Sequence, residues 1–264
     1  MTVPRIALTA PVGPSSAPLV VLGPSLGTST ILWEEVVPLL AQRYRVSAWD
    51  LPGHGVSPKA SAPFTVTELA DAVADVAGSE GDSSILYAGV SLGGAVGLEL
   101  LLAHPRFVSA AAIVASGAFL GGPAPWHERA AKVRAQGTPS LLSQSAGRWF
   151  APDSLQKRPV IGGRLLHSLS DADDESYALC CEALADYDVR ERLAEISAPT
   201  LVLWGEHDQV APESKAEEIT AAIQGSRSQR IAEAAHLPPA ERPHAVAEAL
   251  RRFFDSITTR RNDA

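Results

Sequence analysis

The sequence predicts an α/β protein: a mostly parallel central sheet flanked by helices, with a helical lid inserted between the two halves of the sheet. Three observations predict it. Short apolar runs alternate with helix-like segments, the mark of a parallel sheet covered on both faces. One of these runs, Ile85-Leu86-Tyr87-Ala88-Gly89-Val90, breaks at a serine set between glycines and then continues in a helix-like pattern. From residue 118 to about 191 the strand pattern vanishes while amphipathic stretches persist.

In chain order, residues 18–22 and 44–49 are expected as early strands with a helix over 33–42 between them, and residues 68–77 as a further helix. The run 85–90 is a buried strand, residues 95–102 the buried helix after it, and the alanine-rich run 110–115 the next strand. In the stretch that follows, helices are expected over 126–136 and 173–185. An insertion on this scale, placed between sheet strands, carries function more often than not. Residues 200–204 then form a buried strand, 228–231 a short last one, and 258–264 a frayed polar tail. The expected division is a core of 1–117 and 192–264 with a cap of 118–191. No internal repeat or low-complexity tract interrupts the pattern.

Composition bounds the function classes. A chain of 264 residues with 46% apolar and 20% charged content can bury a large core. No apolar stretch approaches the roughly 20 residues of a spanning helix. The opening residues Met1 to Arg5 lack the basic and apolar regions of a signal peptide, so a cytoplasmic protein is expected. Cys180 and Cys181 are adjacent, which argues against a disulfide framework or metal cluster and for buried helix residues in a reduced protein. The net charge of -8 disfavours nucleic acid and anionic membranes as partners. An anionic small molecule would have to be met by a local cluster of cations. Oligomeric state is not legible.

Gly89-Val90-Ser91-Leu92-Gly93 fits the G-x-S-x-G pattern, in which a strand turns sharply into a helix and leaves the serine hydroxyl at the apex. A side chain two residues before or after the serine would collide across so tight a turn. A nucleophilic serine needs a base, and the base an orienter, in the chain order Ser, Asp/Glu, His. Both follow: Asp208 in the loop after strand 200–204, and His236 in the loop after the last strand. Asp50 and His54 lie in a separate turn and are expected to brace it. His104, His127, His167 and His244 show no ligand spacing.

These residues identify a resemblance to the α/β-hydrolases that covers nearly the whole chain. Asp50-Leu51-Pro52-Gly53-His54-Gly55-Val56-Ser57 resembles the family's loop before the elbow, and Gly205 to Pro212 its acid loop. Within the superfamily the chain is most similar to the 3-oxoadipate enol-lactonases of aromatic catabolism. The segments that carry this are Ser25-Leu26-Gly27-Thr28 with Trp33, Trp126-His127-Glu128-Arg129, and Gly147-Arg148-Trp149-Phe150. One departure is Pro24, which stands where such sequences commonly have His or Asn and removes a side chain that would brace the oxyanion loop.

The resemblance implies opening of a carboxylated enol-lactone without metal or cofactor: Ser91 attacks, His236 moves the proton, Asp208 orients His236, and the N–H groups of Leu26 and Leu92 meet the oxyanion. Arg129, Lys132, Arg134 and Arg148 are the candidates for the substrate carboxylate, with Arg129 and Arg134 favoured, and Trp126 and Trp149 for an apolar roof. Other readings stay open: a carboxylesterase, a carbon–carbon bond hydrolase or a cofactor-free perhydrolase on the same scaffold, or a non-catalytic ligand-binding protein.

Overall fold

Aliphatic and β-branched runs form one seven-stranded sheet in the computed structural model, which describes residues 3–262. The strands are β1 (Ala7–Leu8), β2 (Leu19–Gly23), β3 (Arg45–Asp50), β4 (Ile85–Val90), β5 (Val108–Val114), β6 (Thr200–Gly205) and β7 (Arg227–Ile231), in the order β1-β3-β2-β4-β5-β6-β7. All neighbours are parallel except the short edge strand β1, which runs antiparallel to β3 and gave no sequence signal. β2 and β4 are buried along their entire length, as expected of strands with helices on both sides. The order changes direction between β2 and β4. The crevice at the carboxyl ends of these two strands is the topological switch point, where open α/β sheets bind ligands.

The helices of the core are α1 (Val37–Leu40), α2 (Val66–Gly78) and α3 (Leu92–Ala103). α2 begins with a reciprocal capping box: the Thr65 hydroxyl accepts from the Glu68 N–H (3.1 Å) and the Glu68 carboxylate accepts from the Thr65 N–H (2.9 Å). α3 is buried on almost every face between the sheet and α2. The helix expected over 33–42 is corrected to a 3-10 turn, Thr30–Trp33, followed by the four-residue α1. Pro38 is the cause, since a proline is accommodated only in a helix's first turn and strand β3 begins at Arg45.

Between β5 and β6 the described chain forms helices: α4 (Pro123–Gln136), α5 (Leu142–Trp149), α6 (Ser154–Lys157), α7 (Pro159–Asp171) and α8 (Asp174–Ala185), with 3-10 turns at Thr138–Leu141 and Arg190–Glu195. A bridge between Phe119 and Asp188 joins the two ends of this insertion, and α4 packs along α8. α8 is docked on the core through its cap residue: the Asp173 N–H donates to the Gly53 carbonyl (2.9 Å), and the Asp173 carboxylate pairs with Lys59 (2.7 Å). Cys180 and Cys181 are buried free thiols on α8.

The chain closes with α9 (Glu213–Ala222), α10 (Pro238–Glu241) and α11 (Pro243–Asn262). The frayed tail expected over 258–264 is corrected as far as Asn262, which is helical; Asp263 and Ala264 lie outside the described residues. Ile257 is still buried, so the apolar face of α11 stays docked at least that far. No helix among the described residues is long and apolar enough to cross a membrane.

Candidate active site

Ser91 sits between β4 and α3 with φ 54° and ψ -114°, a conformation that side chains rarely adopt. The neighbours enforce it. A Cβ on Gly89 would lie 2.1 Å from the Gly93 carbonyl oxygen, and one on Gly93 would lie 2.6 Å from that of Pro24. The Ser91 N–H donates to the Val114 carbonyl (2.9 Å), and the Ser91 carbonyl accepts from the Ser116 hydroxyl (2.7 Å). Ser91 is therefore fixed from both sides while its side chain borders a cavity.

Asp208 and His236 come from the loops after β6 and β7 and meet in the interior. His236 Nδ1 lies 3.0 Å from Asp208 Oδ2, and the other carboxylate oxygen accepts from the N–H groups of Val210 (2.8 Å) and Ala211 (3.0 Å). Burial works against ionising Asp208, but the facing imidazole and these N–H groups outweigh it and hold its pKa below the ordinary value. An ionised Asp208 accepts the Nδ1 proton and leaves Nε2 as the basic nitrogen. His236 and Ser91 line the same cavity.

The loop after β2 supplies the opposite wall. The N–H groups of Ser25, Gly27 and Thr28 each find an acceptor: the Thr28 hydroxyl, His54 and the Ser25 carbonyl. That of Leu26 has none among the described residues. Nor has that of Leu92, the first residue of α3, since a helix's first N–H groups lack intrahelical partners. Two unengaged donors on either side of the switch-point crevice suit a developing oxyanion.

The side chain missing at Pro24 is replaced from elsewhere. Gly27 has φ 83° and donates to Nε2 of the buried His54 (3.2 Å), whose Nδ1 faces the Pro52 carbonyl (2.9 Å). A backbone N–H can only donate, so Nε2 accepts and Nδ1 carries the proton. Burial lowers the His54 pKa to about 4, which keeps this tautomer neutral. Asp50 clamps the same region, its carboxylate accepting from the N–H groups of Thr30 (2.7 Å) and Val56 (3.0 Å).

The cavity measures about 440 Å³ and is roofed by the helical insertion. Trp126, Arg129, Arg148 and Trp149 line it, as does Lys132; Trp126 is held by its indole N–H to the Leu120 carbonyl (2.9 Å). Arg134 does not, and its expected role is corrected. It is turned outward into ion pairs with Glu175 (2.7 Å) and Glu182. By contrast Arg129, Lys132 and Arg148 make no ion pair among the described residues, and neither does the one carboxylate on this wall, Glu128.

Sequence reasoning missed three groups. Tyr177 of α8 lies on the cavity wall and accepts from Arg129 Nε (2.9 Å). Ser145 of α5 lies there with its buried hydroxyl unpartnered. Glu241, 1% exposed, accepts from the Ala151 N–H, the Ser154 hydroxyl and the Ala235 N–H, each at 2.7 Å. It thereby ties the insertion to the residue before His236. The Trp149 carbonyl reinforces this by accepting from the N–H groups of His236 (3.1 Å) and Leu237 (3.2 Å). For Glu241 the only signal was a carboxylate inside the proline-rich run after His236; Tyr177 and Ser145 gave none. Among the described residues no cluster of three or more His, Cys, Asp or Glu side chains is placed to hold a metal ion.

Comparison with known proteins gives concordant results. The alpha/beta hydrolase family model matches residues 20–249. 3-Oxoadipate enol-lactonase 2 of Acinetobacter baylyi is 31% identical over 258 residues, covering 96% of each chain. A pimeloyl-[acyl-carrier protein] methyl ester esterase of Aeromonas hydrophila subsp. hydrophila is 30% identical over 86% of this chain and 91% of its own. The crystal structure of the enol-lactonase from Burkholderia xenovorans LB400 superposes with a TM-score of 0.91 at 30% identity, covering 95% of this chain and 96% of that one. The chain thus belongs to the alpha/beta hydrolase family.

Proposed function

We propose that this protein is a serine hydrolase that opens a carboxylated enol-lactone, of the 3-oxoadipate enol-lactone type, as a step in aromatic breakdown. The observation that carries the reading is the set of three cations, Arg129, Lys132 and Arg148, that face the Ser91 cavity without a carboxylate partner. Many other arginines are spent on ion pairs, as Arg43, Arg45, Arg158 and Arg164 are. Unneutralised cations on a cavity wall favour an anionic ligand, and a guanidinium can grip a carboxylate with two parallel hydrogen bonds. The likeness to the Acinetobacter and Burkholderia lactonases supports the same reading.

In this mechanism Ser91 Oγ attacks the lactone carbonyl carbon as its proton passes to His236 Nε2, and Asp208 stabilises the imidazolium. The N–H groups of Leu26 and Leu92 receive the oxyanion, such a donor being worth about 10²–10³ in rate. Collapse breaks the ring C–O bond, and His236 returns the proton to the departing enol oxygen. The leaving group remains part of the acyl chain, so the cavity must hold the opened chain and a water together. His236 then takes a proton from that water as it attacks, and Ser91 leaves with the proton returned. Tautomerisation of the enol to a ketone removes the hydroxyl that could re-close the ring. Residues 118–191 serve as the cap that shields these steps.

A second reading, hydrolysis of uncharged esters, is favoured by the apolar part of the wall: Leu120, Pro125, Trp126, Leu141 and Val210. A turnover panel separates the two, comparing 3-oxoadipate enol-lactone, the same ring with methyl in place of the carboxymethyl arm, and p-nitrophenyl esters. Preference for the carboxylated lactone by about 10-fold or more, lost in Arg129→Met or Arg148→Met, supports the lactonase. Equal or better turnover of the neutral compounds overturns it in favour of an esterase.

A further inference from the structure

Arg129 is the best-held of the unpaired cations, and what holds it is not a carboxylate. Its Nε donates to the Tyr177 hydroxyl at 2.9 Å, and its guanidinium carbon lies 5.7 Å from the Tyr177 ring centroid. With Nε engaged, the two terminal nitrogens remain as the fork, and they have no acceptor among the described residues. The Tyr177 hydroxyl is left half-used. It accepts from Arg129, but its own proton has no acceptor among the described residues, although the residue is 0% exposed and borders the cavity. A buried phenol proton without a partner costs free energy unless a ligand supplies the acceptor. Burial raises the Tyr177 pKa, so this proton stays in place at neutral pH.

We propose that Tyr177 is a specificity-determining residue: with Arg129 it forms a tyrosine–arginine pair that binds the substrate's carboxylate, the phenol proton and the guanidinium fork each donating to it. The inference rests on the lactonase reading and deepens it. The pair answers a problem set by the protein's net charge of -8. Long-range attraction cannot draw in an anion, so discrimination must come from short hydrogen bonds at the site itself. A flexible arginine on a helix surface would lose much of that advantage to its own side-chain freedom; Tyr177 fixes one edge of it in advance. Ser145, with its unpartnered hydroxyl on the same cavity wall, is a further polar group facing this region.

Tyr177 also has a structural neighbour. Its ring stacks on His54 with centroids 5.9 Å apart and planes at 26°, and His54 accepts from Gly27 beside the oxyanion donor. The test must therefore separate anion reading from loop support. Tyr177→Phe keeps the ring and its stacking and removes only the hydroxyl. Wild type, Y177F, R129M and the double variant are assayed on 3-oxoadipate enol-lactone and on its methyl counterpart, with thermal melting to check folding.

The expected result is a loss of about 10- to 100-fold in kcat/KM for the carboxylated lactone in Y177F, carried mainly by KM. Turnover of the neutral lactone stays within about twofold, and the hydroxyl's removal costs far less in the R129M background. Equal losses on both substrates would make Tyr177 a support for the oxyanion loop and overturn the pair. So would an unchanged preference in Y177F while R129M loses it, or full additivity of the two substitutions. A wild type that shows no preference for the carboxylated lactone refutes the lactonase reading itself, and the pair with it.

Discussion

Acid should destabilise this protein through His54. In the folded state the imidazole is buried, accepts from Gly27 and is held neutral with a pKa lowered to about 4, against an ordinary value of 6.5. As pH falls through 6.5 the unfolded chain takes up a proton at this position and the folded chain does not, so stability declines with pH until the folded pKa is reached. The difference of 2.5 units corresponds to about 3 kcal/mol by pH 4, of which about 2 kcal/mol is lost between pH 8 and pH 5. The assay is urea unfolding of wild type and His54→Gln at pH 8, 6.5 and 5. The variant removes the titration, so whatever its absolute stability, its curve should fall less steeply by about 2 kcal/mol over that range. Parallel curves would refute a buried neutral His54. In the folded protein the loop loses its support only below about pH 4, where protonated Nε2 can no longer accept from the loop that carries Leu26.

Replacing Ser91 by Gly should abolish turnover yet raise stability by about 1 kcal/mol in thermal melts, since glycine adopts φ 54°, ψ -114° without strain; a destabilised variant would mean that the elbow is relaxed. Asp208→Asn should lower kcat by roughly 10⁴ with KM nearly unchanged, through loss of the imidazole tautomer, and survival of activity there would point to a different acid. Glu241→Gln should cost about 2–3 kcal/mol of stability in denaturant titrations, because an amide cannot accept from all three donors that the carboxylate satisfies. A cost below 0.5 kcal/mol would show that these bonds do not tie the cap to the His236 loop.

The core fold and the elbow were legible because their constraints are local. Five of the seven strands announce themselves as apolar runs, and the two glycines around Ser91 are demanded by contacts within a few ångströms of the turn. The lid was legible as helices but not as a surface. Arg129 and Arg134, both favoured as carboxylate partners, are five residues apart, which on a helix turns them about 140° from each other. Arg134 lies on the side away from Arg129 and is taken up by Glu175 and Glu182. Trp126 and Lys132, each three residues from Arg129, fall within about 60° either side of it, and all three are on the wall. The periodicity thus contained the correction to Arg134. It did not contain Tyr177, whose partner is 48 residues away on another helix and whose place in α8 reads as ordinary core.

The departure at Pro24 has the same character. Read alone, a proline there deletes the brace of the oxyanion loop. In the fold the loop is held by its backbone and by distant groups: the Pro24 carbonyl accepts from Gly93 (3.0 Å), Gly27 donates to His54, and Thr30 donates to Asp50. The cap contributes as well, since a Cβ on Gly27 would stand 3.3 Å from both the Trp149 and Tyr177 rings. Trp149 thus packs on the oxyanion loop with its ring and holds the His236 loop with its carbonyl. A cap joined to both halves of the site at one residue cannot swing clear of one without releasing the other. The insertion therefore acts as a wall of the site, and the residues proposed to select the substrate sit on elements that also hold the proposed reacting groups in place.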